Sequence, residues 1–212
     1  MELLKKNILT LIKILLIIGF GYFFWLMVKI TLEYIPLDSN VSFLMIKQTE
    51  VEQRPEYLYF FYTHVYTSIF ILLTGFLAIL RKDFRLKNFH RNAGKIYISL
   101  ILLFAAPSGI YMGIFANGGF LSKISFVILG FLWWFTTFKA FQLARQRKFK
   151  EHKQWMWRSF VLTISAITLR MWKVIIVYLF HPNPMDVYQI IAWLGWIPNI
   201  ILIEYLILKK HL

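Results

Sequence analysis

Apolar residues along this chain fall in long blocks separated by short polar connections, without the strict alternation that marks a half-buried strand. A membrane-crossing helix needs about 20 mostly apolar residues. Stretches meeting that condition lie at 14–35, 59–80, 94–115, 122–143, 156–180 and 188–208. The pattern predicts an all-α protein, a polytopic transmembrane helix bundle of six spans that forms a single integral membrane domain over residues 1–212. The first block carries a basic flank, Lys5, Lys6 and Lys13, as a secretory leader would. Its apolar run is longer than a leader's, and bulky Phe23, Phe24 and Trp25 stand where small residues should precede cleavage, so it is expected to remain a helix. No internal repeat is visible in the sequence.

Composition strengthens this reading. Hydrophobic residues make up 59% of the chain and charged residues 16%, with mean hydropathy +0.61. A soluble domain runs at roughly 45–50% apolar and about 25% charged, so lipid is the expected solvent. With 0 Cys, disulfides, cysteine-ligated iron–sulfur clusters, zinc-thiolate sites and covalently attached haem are excluded. Histidine-ligated metals and b-type haem are not.

The cations set an orientation. Arg81, Lys82, Arg85, Lys87 and Arg91 cluster between the second and third blocks, and Arg145, Arg147, Lys148, Lys150 and Lys153 before the fifth. Lys5, Lys6, Lys209 and Lys210 fall on the same side for six spans. The other side carries Asp38, Glu50, Glu52, Glu56 and Asp186. Both termini are therefore expected in the cytoplasm, in a multi-pass protein of the cell (inner) membrane. The net charge of +14 then reflects basic loops against anionic headgroups, with no soluble basic module for nucleic acid.

The 36–58 segment is the one external loop long enough for structure of its own, and its 41–46 stretch is expected to lie flat on the membrane. Turns are expected at Asn117-Gly118-Gly119 and His181-Pro182-Asn183-Pro184. Ala105, Gly109 and Gly113 form a small-residue stripe for close helix approach. Pro107 should kink the same helix and free a carbonyl for Ser108. Trp133 and Trp134 read as bundle packing.

Ionisable groups inside a span are expensive and need a partner or a task. Toward the outer side stand Lys29, Glu33, His64, Arg170 and Lys173. Lys29 and Glu33 are spaced to pair on one helix face. Arg170 lies about 15 Å along the axis from the end of its block; either Glu33 neutralises it or it lines a ligand or catalytic cavity. Toward the inner side, His90 and His152 open two different helices, with Glu204 at a similar level. Two histidines on separate helices are what bis-histidine haem ligation requires, and Arg91, Lys95 or Arg158 could meet propionates. The plain alternatives are headgroup contact for the histidines and an ion pair, for example with Lys95, for Glu204.

These residues also carry a resemblance. His64, His90-Arg91-Asn92-Ala93-Gly94-Lys95-Ile96-Tyr97, Ala106-Pro107-Ser108-Gly109-Ile110-Tyr111-Met112, Asn117-Gly118-Gly119, His152 with Trp155-Met156-Trp157-Arg158-Ser159, Thr168-Leu169-Arg170 and Trp196-Ile197-Pro198-Asn199 with Glu204 occur in that order. Together they resemble a family of bacterial and fungal predicted membrane proteins, domain of unknown function 2306, over about residues 59–204. The resemblance implies a membrane bundle and no particular activity. A weaker likeness to haem-b membrane cytochromes rests on fold alone. A two-haem member would need four ligands, and His64 is the one histidine well placed on the outer side.

No nucleotide-binding glycine motif, zinc helix or serine-nucleophile elbow is present. Three readings remain open. One is a redox protein holding haem b through His90 and His152, with Arg91 and Arg158 nearby, and exchanging electrons with a quinol. The second is a small transporter or an anion- or lipid-binding protein using Arg170, His64 and Glu204. The third is an intramembrane enzyme or assembly factor with those three as its catalytic groups. Whether the protein is an enzyme stays open at this level.

Overall fold

The computed structural model describes residues 2–80 and 87–209, and every regular element among them is helical. Arg81, Lys82 and Arg85 of the first basic connection, and Lys210 and His211 of the tail, lie outside the described residues. Helix α1 (Glu2–Leu32) is followed by a 3-10 turn (Ser42–Lys47) and a short α2 (Gln48–Gln53). Next come α3 (Glu56–Leu80) and α4 (Lys87–Leu100), which continues through a π-helical turn (Ile101–Ala105) into α5 (Ala106–Ile114). Then follow α6 (Gly119–Arg145), α7 (Phe149–Thr163), α8 (Ser165–Phe180), α9 (Pro184–Leu194) and α10 (Ile197–Leu208).

Five stretches are long and apolar enough to cross a membrane: Ile14–Leu32, Glu56–Ile79, Asn88–Ile114, Gly119–Arg145 and Met185–Leu208. A sixth forms if α7 and α8, bent by 40° at their junction, count as one broken span. The helices start earlier than hydropathy suggests, at Glu56 and Lys87 rather than 59 and 94. Their first turns are polar, and helical hydrogen bonding is indifferent to that. The two expected turns are present. Gly118 and Gly119 have φ of 85° and 77°, and a Cβ on Gly118 would come within 2.5 Å of Ser122 Oγ. His181 closes α8 in the left-handed region.

The helix containing Pro107 shows how a break is accommodated. Proline has no N–H to give to a carbonyl of the preceding turn. The chain widens into the π turn just before it, and side chains take up the carbonyls. Trp134 Nε1 donates to Leu102 O at 3.2 Å, Ser108 Oγ to Phe104 O at 2.6 Å, and Ala105 O meets His64 Nδ1 at 2.8 Å. Ser108 thus does what the sequence suggests, with help from two other helices. Gly109 and Gly113 are indeed close-approach positions. A Cβ on Gly109 would meet His64 Cε1 at 2.9 Å, and one on Gly113 would meet the Phe126 backbone at 3.2 Å.

Two further breaks, α7/α8 and α9/α10, are stapled to each other. Asn199 Nδ2 on α10 reaches Thr168 Oγ1 at 3.0 Å and Val161 O at 3.2 Å, and Thr168 Oγ1 donates to Gly195 O at 2.5 Å. Interhelical hydrogen bonds in lipid are worth up to about 1–2 kcal/mol. Asn199→Leu is therefore expected to lower the unfolding free energy in detergent by about 1–2 kcal/mol, read as a lowered midpoint, with Thr168→Val giving a similar loss. Near-wild-type midpoints for both would remove the staple from the account.

Helix α1 sits at the periphery. Its Met27 is buried with Leu72 and Ile167, and Phe20 stacks on Phe76 with centroids 3.7 Å apart. The loop after it folds inward more than expected. Leu44 is fully buried among Tyr34, Tyr57 and Phe61, although Met45 and Ile46 remain exposed. Lys47, which charge counting places in an external loop, is 1% exposed. Its ammonium pairs with Glu50 at 2.7 Å and donates to the Phe115 carbonyl, pinning the loop to the end of α5.

Candidate functional site

The centre of the bundle is a hydrogen-bonded polar cluster in otherwise apolar surroundings. Tyr97 Oη on α4 lies 2.9 Å from Ser159 Oγ and 2.8 Å from Thr163 Oγ1, both on α7. Ser159 Oγ is 2.7 Å from Thr137 Oγ1 on α6, and Trp133 Nε1 donates to Thr163 at 2.9 Å. Tyr97 fits because α3 offers Gly75 opposite it. A Cβ there would come within 2.6 Å of the Tyr97 ring and 3.0 Å of Phe160. Among the described residues no buried polar side-chain atom lacks a partner.

The two basic-end histidines are held in matching ways. Each is the fourth residue of its helix, His90 in α4 and His152 in α7. His90 Nδ1 lies 3.0 Å from Ala78 O, twelve residues earlier on α3. His152 Nδ1 lies 2.8 Å from Ala140 O, twelve residues earlier on α6. The correspondence continues: three residues before each alanine, Gly75 receives Tyr97 and Thr137 receives Ser159. Tyr97 and Ser159 are in turn seven residues beyond His90 and His152, on the same helix faces, and bond to each other. The α3–α4 and α6–α7 hairpins therefore repeat one geometry that the sequence conceals. With Nδ1 donating to a carbonyl, Nε2 of each ring is left as the lone-pair nitrogen.

The other inner residues are arranged differently. Arg158, a candidate propionate partner by sequence, is engaged by Glu204 on α10 through two bonds, Nε to Oε1 at 2.5 Å and Nη2 to Oε2 at 2.8 Å. Its guanidinium also covers the Trp155 ring at 4.6 Å. Glu204 thus has the ionic partner foreseen for it, an arginine rather than Lys95. Arg91 is exposed next to His90. Gly94, one turn after His90, has open space where a Cβ would stand.

At the opposite end His64 is wedged between helices: Nδ1 on the Ala105 carbonyl, ring against Gly109 and edge-on to Trp133 with centroids 6.5 Å apart. The expected pairing of Arg170 with Glu33 is not formed. Glu33 accepts from Ser42 at the foot of the loop, and Arg170 Nη1 donates to Ala166 O of its own helix at 2.8 Å. Beyond Ile167, which packs with Met27 of α1, α8 packs chiefly against α9. No carboxylate among the described residues lies within ion-pair distance of Arg170, and Lys29 and Glu33 do not pair either.

His64 and Arg170 each engage a backbone carbonyl, Ala105 O and Ala166 O, whereas Glu204 belongs with Arg158. No group of three or more His, Asp or Glu that could hold a metal occurs among the described residues. Reading the sequence for costly charges overlooked the uncharged cluster around Tyr97. Its one visible trace is the shared seven-residue spacing of His90 to Tyr97 and His152 to Ser159. A family model described as predicted membrane protein (DUF2306) matches residues 61–207. No curated protein and no solved structure matches the chain.

Proposed function

The chain belongs to the DUF2306 family of predicted membrane proteins, and we propose that it is a membrane redox protein carrying one b-type haem between His90 and His152 at its basic end. The observation behind this reading is the repeated hairpin. Two imidazoles are oriented alike, each tied through Nδ1 to a backbone carbonyl, on helices that bond to each other at Tyr97 and Ser159. Such a second bond at Nδ1 fixes the tautomer and aims Nε2 as a ligand. The level of the histidines is about 10 Å along both helices from that junction, and a Cβ on Gly94, one turn after His90, would meet no atom within 4 Å. The donor set of two histidines on separate helices would suit a b-type haem, which when bound would supply a one-electron change at iron.

The chain's own groups supply the rest. His90 and His152 would hold the iron, and Arg91, exposed beside His90, would offer a cation to a carboxylate of the group. Arg158 is retained by Glu204 and orients α10 against α7. A line of contacts runs away from this end, from Tyr97 through Thr163 to Trp133 and then to His64. It gives electrons an aromatic route between the two ends. With the basic loops facing the cytoplasm, the haem would lie on the cytoplasmic side of the cell membrane.

Protein purified in detergent from cells supplied with haem precursor is expected to show a sharpened α-band and a shifted Soret band on dithionite reduction. His90→Ala and His152→Ala should each remove that spectrum while the variants remain folded by circular dichroism. A featureless spectrum from haem-replete, folded wild-type protein would sink the proposal.

A further inference from the structure

We propose that the groove between α3, the external loop and Phe104 binds the ring of a lipid-soluble quinone or quinol, which enters sideways from the bilayer. This deepens the redox reading, on which it rests for its purpose, by placing the protein's lipid-soluble redox partner.

The groove is a cavity of about 740 Å³, within the range of roughly 300–1,000 Å³ usual for small-molecule sites. One face of α3 forms its floor from Tyr59 to Thr67, about 12 Å of helix. Tyr59 and, on the loop, Leu37 are 67% and 69% exposed, so the mouth opens toward lipid. Phe104 joins the lining from the π turn between α4 and α5, and π turns are frequent at functional sites. Two lining tyrosines are fixed before any ligand arrives. Tyr62 Oη donates to Asp38 O at 3.2 Å, and Tyr66 Oη to Tyr34 O at 2.9 Å.

These groups select a flat, neutral head. Tyr62 and Tyr66 have ring centroids 5.8 Å apart and planes within 14° of each other, an aromatic surface on which another ring can stack. Thr63 faces the same groove. Thr67, Thr74, Thr137 and Thr163 each return the hydroxyl to a carbonyl of their own helix. Thr63 Oγ1 has no such partner among the described residues. A free hydroxyl can donate to a quinone carbonyl and accept from a quinol hydroxyl. No lining residue is charged, and Asp38 beside the mouth is acidic, so a phosphate headgroup finds no counter-ion there. A plain acyl chain has no use for the ring pair or the hydroxyl. The groove also adjoins the line of contacts that leads to the basic end. Phe104 precedes Ala105, whose carbonyl meets His64 Nδ1 at 2.8 Å, and His64 lies edge-on to Trp133.

The test is calorimetric titration of the purified protein with a decyl-tailed ubiquinone analogue in nonionic detergent, with empty micelles as the blank. The wild type is expected to bind saturably. Thr63→Val removes only the hydroxyl and should weaken binding about three- to tenfold. Thr63→Trp fills the groove and should weaken it at least about tenfold. Leu103→Trp, equally exposed to lipid but outside the groove, should bind as the wild type does. Non-saturable binding in the wild type, or an unshifted Kd in folded Thr63→Trp, overturns the site. If Thr63→Trp does not fold, Thr63→Val decides, because it keeps the side chain's shape. An unshifted Kd in Thr63→Val, or displacement of the analogue by decanol as effective as by a second quinone, overturns the quinone assignment. Haem has no part in this readout. Binding retained without the reduced-haem spectrum would overturn the haem reading alone, and the spectrum without binding would overturn the groove alone.

Discussion

Gly75→Ala is expected to be among the most destabilising single-methyl changes in this protein, by about 1–3 kcal/mol, the usual cost of overpacking. Its Cβ would press on the rings of Tyr97 and Phe160 at 2.6 and 3.0 Å. Neither ring can retreat easily, because Tyr97 is tied to Ser159 and Thr163 and both rings are buried in the central core. Gly94→Ala is the contrasting case. Open space surrounds that position, and alanine favours a helix interior over glycine by roughly 0.5–1 kcal/mol, so it should be neutral or stabilising. Unfolding midpoints in one detergent would compare the two directly. Equal midpoints would mean that the Tyr97 junction is not tightly packed. A larger residue at Gly94 separates stability from ligation: Gly94→Leu should fold normally yet lose the haem spectrum, because it fills the space beside His90.

The second large effect is expected from Glu204→Leu. It leaves the Arg158 guanidinium, 17% exposed, without its two-pronged partner. Because Glu204 is itself 43% exposed, the loss should fall below that of a fully buried pair, at about 1–3 kcal/mol. Arg158 keeps its stacking on Trp155, so Arg158→Leu should also cost the cation–π contact at 4.6 Å. The double replacement Arg158→Leu/Glu204→Leu should be less destabilising than the sum of the singles, since no unpaired charge remains. Strict additivity in a double-mutant cycle would show that the two residues act independently and that the pair is incidental. Haem binding offers a second readout. If Arg158 is a positioning residue for α10, Glu204→Leu should leave the axial spectrum unchanged in shape.

The bundle itself was legible in the chain because lipid imposes so strong a condition. A helix crossing hydrocarbon must be long and apolar; five stretches of this chain meet that condition outright, and a sixth does as a bent pair. Pro107 with Ser108, the glycine stripe and the two turns could also be read in advance. Each is a local rule about backbone groups that must find partners. Family membership is likewise carried by short ordered runs, and residues 61–207 match the family model.

Pairings between distant helices could not be read. Glu204 finding Arg158 across 46 residues, Lys47 reaching Phe115 O, and Arg170 left without Glu33 all depend on where helices lie, and hydropathy is blind to position around a bundle axis. The 40° break between α7 and α8 is likewise invisible to hydropathy. It turns on one junction, whose cost is met by Thr168 and Asn199 on separate spans. The repeat of Ala78–His90–Tyr97 in Ala140–His152–Ser159 was hidden for a related reason. What is repeated is a backbone carbonyl meeting an imidazole, and a carbonyl can be offered by any residue. The sequence alone thus determined that the chain is a helical membrane protein and which of its side chains are too costly to be idle. Only folding determined which of them meet, because side-chain partners in a bundle are chosen by helix rotation and breaks, and neither leaves a periodic mark along the chain.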